Sequence, residues 1–197
     1  QKAGETGPYI LVGHSFGGLA ALSVTLRARV PLLSLTIAEA PAMEILREAE
    51  EVRHYDAFRM MSATYSEAFK RGETDAIARM VDFYGGAGTF AAWPQRVREY
   101  AMATTPANLL DWESAYGFRL TPASLARLVT PTLIVWGESS HPAVRRANEL
   151  LSLHIPGAIG TGISGAAHFM ITTHPQQFAE LIARHVAHSG LSLAAAR

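Results

Sequence analysis

Apolar residues fall into short unbroken runs at the two ends of this chain and into helix-spaced positions between them. Pro8-Tyr9-Ile10-Leu11-Val12 has no charged interruption and stops at a glycine, as a strand buried on both faces does. Pro31-Leu32-Leu33-Ser34-Leu35-Thr36-Ile37 and Thr130–Gly137 predict two more buried strands. Ala158–Ile163 predicts a fourth, weakened by Gly160 and Gly162. Helices lie between the strands. Gly18–Leu26 is rich in small residues, Thr121–Ala126 is a short capped helix, and Ser140-His141-Pro142 opens a helix ending near Leu153. The last helix starts at Thr173-His174-Pro175-Gln176, a capping-box pattern, and runs to about Ala187, with Ser189–Arg197 as a frayed tail. From Ala42 to Leu128 nothing alternates with period two. Met43–Glu51, Tyr65–Arg71, Asp75–Tyr84, Pro94–Met102 and Asn108–Tyr116 predict an all-helical segment.

The first strand runs directly into Gly13-His14-Ser15-Phe16-Gly17-Gly18 and then into a helix. G-x-S-x-G on a strand–turn–helix places a serine hydroxyl on a sharp turn above the sheet. A Cβ at Gly13 or Gly17 is expected to press on the neighbouring strand and helix. The N–H of Phe16, just after the serine, is positioned to stabilise a developing oxyanion. His14 is expected to pack or donate a hydrogen bond. Gly85-Gly86-Ala87-Gly88 lacks the Lys-Ser/Thr of a nucleotide loop and reads as a helix-ending turn.

These segments resemble the α/β-hydrolase family. Gly13–Gly18 resembles its nucleophile elbow, Thr132–Glu138 a later strand, and Gly165-Ala166-Ala167-His168-Phe169 its histidine loop. The resemblance implies an α/β fold: the C-terminal part of a mostly parallel hydrolase sheet (1–41 and 122–197) with an inserted helical cap (42–121). It also implies the chain order serine, acid, histidine. Ser15 would attack, and His168 would act as base and then acid. For the acid there are two candidates. Where many relatives carry an aspartate, this chain has Gly137-Glu138-Ser139-Ser140-His141, with serine at that position. Glu138 falls about two residues early, an offset of about 6.5–7 Å on an extended chain, against the ~2.6–3.2 Å that a hydrogen bond to imidazole needs. A minority of the fold puts the acid after the preceding strand, and there the chain has Glu39, which is therefore the expected acid.

Composition narrows the function. Lys plus Arg and Asp plus Glu both number 17, so no basic footprint for nucleic acid exists. There is no cysteine, which excludes a disulfide scaffold, a thiolate zinc site and a cysteine nucleophile. His185 and His188 have no further ligand at metal spacing, so no metal is expected, and the resemblance implies no cofactor. The longest apolar stretch is too short to span a bilayer, and Gln1–Thr6 is polar, so neither a membrane span nor a secretory signal is expected and a cytoplasmic location fits. In the family, roughly 80 residues of strands and helices precede the elbow. The chain is thus expected to be the C-terminal part of a longer protein, with its second oxyanion donor upstream and little activity alone.

The expectation is a serine hydrolase acting on a small apolar ester or related acyl bond, with an acyl pocket drawn from Met43, Phe58, Met60, Met61, Met80, Phe83, Phe90, Trp93 and Trp112. A non-catalytic ligand-binding member of the fold, and a perhydrolase or thioesterase with the same triad, are the alternatives.

Overall fold

In a computed structural model, which describes residues 7–195, four strands form one parallel sheet in the order β1-β2-β3-β4. They are β1 (Tyr9–His14), β2 (Leu32–Ala38), β3 (Thr132–Gly137) and β4 (Ile159–Ile163). Helix α1 (Phe16–Leu26) joins β1 to β2. Between β2 and β3 lie α2 (Met43–Glu48), α3 (Val52–Lys70), α4 (Ala78–Gly85), α5 (Thr89–Ala92), α6 (Gln95–Gly117) and α7 (Pro122–Leu125). Helix α8 (Pro142–His154) precedes β4; α9 (Met170–Thr173) and α10 (Pro175–Ala195) follow it.

The alternation of side chains along each strand assigns the two faces of the sheet. Leu35, Ile37 and Ile134 pack against Leu19 and Leu22 of α1 and against Val144, Ala147 and Leu151 of α8. Ala38, Leu133, Val135 and Ile163 point the other way, onto Met170 and onto Phe178, Leu181 and Ile182 of α9 and α10. Both faces of β2 and β3 are covered, which is why these strands read as near-continuous apolar runs; β1, expected to be buried on both faces, is instead largely exposed at the described edge. The helices between β2 and β3 share the first of these cores through Met43, Ile45, Leu46, Phe58, Tyr65, Val81 and Trp112. Arg146 of α8 bonds Glu51 at 2.7 Å, beside the start of α3. At the described edge of the sheet, Ile10 and Val12 of β1 are 48% and 42% exposed.

Several boundaries differ from the sequence reading. Helix α3 is one 19-residue helix, not only its last turns, because Phe58, Met61, Tyr65 and Ala68 form a stripe at three- and four-residue spacing among polar neighbours. Helix α6 runs for 23 residues through Pro106, where two helices were predicted. A proline removes one helix hydrogen bond, but Ala101, Thr105, Trp112 and Ala115 on both sides of it are buried along one face, and tertiary packing keeps the axis continuous. Helix α4 begins three residues later than predicted and α10 continues to Ala195, well past the predicted frayed end. Thr173 belongs to α9, where its hydroxyl donates to Phe169 O at 3.2 Å, and so it is not the cap of α10. The Thr121 cap does form, with reciprocal bonds to Ser124. The predicted leader-free segment Gln1–Thr6 and the end of the tail, 196–197, lie outside the described residues.

Two glycines fix close backbone approaches. A Cβ on Gly13 would meet Gly17 O at 2.4 Å, and one on Gly137 would meet Ala166 O at 2.4 Å. Gly17 itself, against expectation, has no atom within 4 Å of an added Cβ; the crowded helix position is Gly18, against Ile37 and Ala40. The helix turns away from the sheet at 17 and towards it at 18. Gly137→Ala is therefore expected to destabilise by about 1–3 kcal/mol. Gly117→Ala, at the open end of α6, should be neutral or stabilise by up to about 1 kcal/mol. Urea unfolding midpoints of the two variants test this, and equal effects would contradict it.

Candidate active site

All four strands deliver chain to the same end of the sheet. The ladder continues one residue past β1 and β2, with Ser15 N donating to Ala38 O at 2.9 Å and Glu39 N to Val135 O at 3.0 Å. Past β3, Glu138 N donates to Ile163 O at 3.1 Å and Ser139 N to Ala166 O at 2.8 Å. Ser15, Glu39 and the loop carrying His168 thus emerge side by side at the carboxyl ends, where open parallel sheets gather ligands.

Ser15 and Glu39 both leave their strands through positive φ, 55° and 45°. Such angles in non-glycine residues cost of order 1–3 kcal/mol and persist only where the surroundings enforce them. At Ser15 the φ/ψ pair of 55° and −131° is the sharp strand-to-helix turn read from the motif. Phe16 heads α1, among the first N–H groups that have no partner within a helix. At Glu39 the following loop is held by Asn148 of α8: its Oδ1 accepts from Ala40 N at 3.1 Å and its Nδ2 donates to Ala40 O at 3.2 Å.

Glu39 is fully buried. Its Oε2 accepts from His168 Nδ1 at 2.7 Å, and its Oε1 accepts from Gly137 N at 2.7 Å and Ser140 Oγ at 2.5 Å. A carboxylate only accepts, so the His168 proton sits on Nδ1 and Nε2 is left as an acceptor. His168 is itself 3% exposed. The Tyr84 ring lies 4.1 Å from the His168 ring, centroid to centroid. Burial pushes the Tyr84 phenol well above its usual pKa, and its hydroxyl has no hydrogen-bond partner among the described residues.

Glu138 is not part of this arrangement. It is exposed, and its side chain lies over Gly162 of β4, away from His168. Ser140, the serine at the aspartate position of the resemblance, instead donates to Glu39. Sequence reading missed Ser140, Tyr84 and Asn148. The serine's alignment with an expected acid was a usable signal for Ser140; Tyr84 and Asn148 sit in ordinary helical patterns and gave none.

Ser15, Phe16 and His168 line one cavity of about 150 Å³. Its remaining wall comes largely from the helices between β2 and β3: Met80, Val81 and Tyr84 of α4, Trp93 after α5, and Asn108, Asp111, Trp112 and Ala115 of α6. Of the residues expected to form an acyl pocket, Met80, Trp93 and Trp112 line it. Phe58, Met43 and Phe90 belong to the core instead, and Met60 is exposed. Among the described residues no three His, Cys, Asp or Glu side chains cluster as metal ligands, and no helix is long and apolar enough to cross a membrane. His185 Nε2 donates to Pro131 O at 3.2 Å.

A sequence profile described as the alpha/beta hydrolase family matches residues 2–181. No curated protein sequence matches the chain. Solved structures share its fold. Est816, described as an N-acyl homoserine lactone degrading enzyme, is 20% identical, with a TM-score of 0.67 over 90% of this chain and 67% of its own. MenH from S. aureus is 18% identical, with a TM-score of 0.67 over 92% of this chain and 68% of its own. An esterase (EaEST) from Exiguobacterium antarcticum is 17% identical, with a TM-score of 0.66 over 89% of this chain and 65% of its own. The chain spans about two thirds of the length of these proteins.

His14 donates its Nε2–H to His168 O at 2.8 Å, and its ring lies 4.7 Å from that of His168. Burial, then the neighbouring His168, lowers the His14 pKa from 6.5 to about 4. The folded state therefore resists a proton that the unfolded chain takes up. Above pH 6.5 both states are neutral at this site and it has no effect; as pH falls from 6.5 to about 4 the folded state loses stability, by up to about 3 kcal/mol, and below that the loss levels off. His14→Gln should flatten this part of the curve of urea midpoint against pH. An identical slope in the variant would contradict the assignment.

Proposed function

The chain belongs to the alpha/beta hydrolase family, and on that footing we propose that it is the catalytic part of a serine hydrolase cleaving carboxylic esters or related acyl bonds. The observation that carries this reading is the buried Glu39 carboxylate on Nδ1 of His168, a histidine that lines one cavity together with the elbow serine. In the proposed cycle the Ser15 hydroxyl oxygen bonds to the substrate carbonyl carbon as its proton passes to His168 Nε2. The carbonyl oxygen becomes an oxyanion facing the Phe16 N–H. When the tetrahedral species collapses, the bond to the leaving alkoxide breaks and His168 returns the proton to it. A water then repeats both steps on the acyl-enzyme and frees the acid and Ser15.

Glu39 keeps the imidazole in the tautomer whose Nε2 can accept, and stabilises the imidazolium formed midway. Helices α2–α6 act as a cap over the acyl group, a reading supported by the share that α4, Trp93 and α6 take in the cavity wall. The esterase likeness of EaEST agrees with an ester substrate. The resemblance puts a second oxyanion donor on a loop upstream of the elbow; loss of one such donor typically costs about 10²–10³ in kcat. Turnover is therefore expected of the full-length protein and little of it from these 197 residues alone.

A fluorophosphonate probe is expected to label the full-length protein at Ser15 alone. Labelling at another serine, or none while esters turn over, would remove Ser15 from its role. Glu39→Gln should lower kcat by about 10²–10⁴ at matched folding, and Glu138→Gln should leave it nearly unchanged. The reverse result would move the acid to Glu138. Little loss from either, together with no labelling of Ser15, would favour a non-catalytic ligand-binding member of the fold.

A further inference from the structure

Beyond Ser15, His14 and His168, the cavity wall is largely apolar and aromatic except at α6. There α6 presents Asn108 and Asp111, three residues apart and so on one helix face. The Asn108 Oδ1 is buried and accepts no hydrogen bond among the described residues. Asp111 has no ion-pair partner among them either, and burial raises its pKa. No lysine or arginine lines the cavity, while the rings of Tyr84, Trp93 and Trp112 do.

A buried acceptor without a donor is unfavourable unless something fills it, by about 1–3 kcal/mol. Here the side chains of Asn108 and Asp111 line the same space, among aromatic rings that attract cations. The group that satisfies all three is positively charged, with N–H donors. An anionic substrate would meet only like charge on Asp111 and find no cation; an all-carbon chain would leave both acceptors dry.

We propose that this cavity selects esters whose acyl group carries an alkylammonium, held by Asp111 and Asn108 beside Trp93 and Trp112. The proposal rests on the reading of the cavity as the acyl site of Ser15. Tyr84 contributes its ring to the aromatic wall of the cavity.

The test measures binding rather than turnover, so that it stands apart from the assignment of Ser15. Full-length Ser15→Ala protein is titrated with a homologous series of ethyl ω-aminoalkanoates, each paired with the ethyl alkanoate of equal chain length. Fluorescence of Trp93 and Trp112 in the cavity wall reports occupancy. At least one ammonium ester should bind about tenfold or more tightly than its partner. Asp111→Asn should remove most of that preference and Asn108→Leu several-fold of it, with the alkanoate affinities little changed. Equal affinity within every pair overturns the proposal whatever the variants do, as does a preference that survives both substitutions. Failure of the Ser15 reading would show separately, as ester turnover that Ser15→Ala leaves intact.

Discussion

The carboxylate of Glu39 is the constraint on which this end of the molecule depends. A fully buried carboxylate is unfavourable unless it is neutralised or fully hydrogen-bonded. Its three donors come from three places in the chain: the end of β3 at Gly137, the next loop at Ser140, and the loop between β4 and α9 at His168. Meeting them draws the carboxyl ends of β2, β3 and β4 together. Removing any one donor would leave part of a buried charge unpaired, so the loops share this requirement in addition to their own packing.

The strain in the backbone follows from that requirement. Glu39 turns its side chain into the site through φ 45°, and Ser15 rises beside it through φ 55°. Neither angle is favoured by its own residue. The Asn148 clamp on Ala40 holds the first, and the close packing of Gly13 against Gly17 O makes room for the second. Gly137 does the same for the His168 loop, against Ala166 O. His14 adds a last tie, from the elbow to the His168 carbonyl, and must be neutral to sit where it does. A buried imidazolium there would face His168 with no acid of its own.

β2 and β3 were legible because they are covered on both faces and therefore run largely apolar, and β1 was legible as an apolar run although Ile10 and Val12 are half-exposed. The elbow was legible because its motif sits where a strand becomes a helix. Glu39 was preferred over Glu138 because Glu138, although it too directly follows a strand, falls about two residues before the position where many relatives carry an aspartate; in the structure His168 bonds Glu39. The middle of the chain was harder. Helix α6 hides behind Pro106, whose local cost says stop while Trp112 and Ala115 say continue. Helix α3 carries its stripe among arginine, histidine and glutamate, so period was masked by composition. Ser140 and Asn148 meet Glu39 and Ala40 at 101 and 108 residues' separation, and Tyr84 meets His168 from α4. No local pattern encodes such contacts.

The proposed cycle depends on which nitrogen of His168 carries the proton. Nitrogen-15 NMR of histidine-labelled full-length protein resolves this at neutral pH. His168 is expected to be the Nδ1–H tautomer, with its Nδ1 proton far downfield in a hydrogen bond that Glu39→Gln abolishes while the fold is retained. An Nε2–H tautomer in the unsubstituted protein, or a downfield proton that Glu39→Gln leaves in place, would contradict it, because Nε2 could then accept nothing from Ser15 and Glu39 would not be the group that holds the ring.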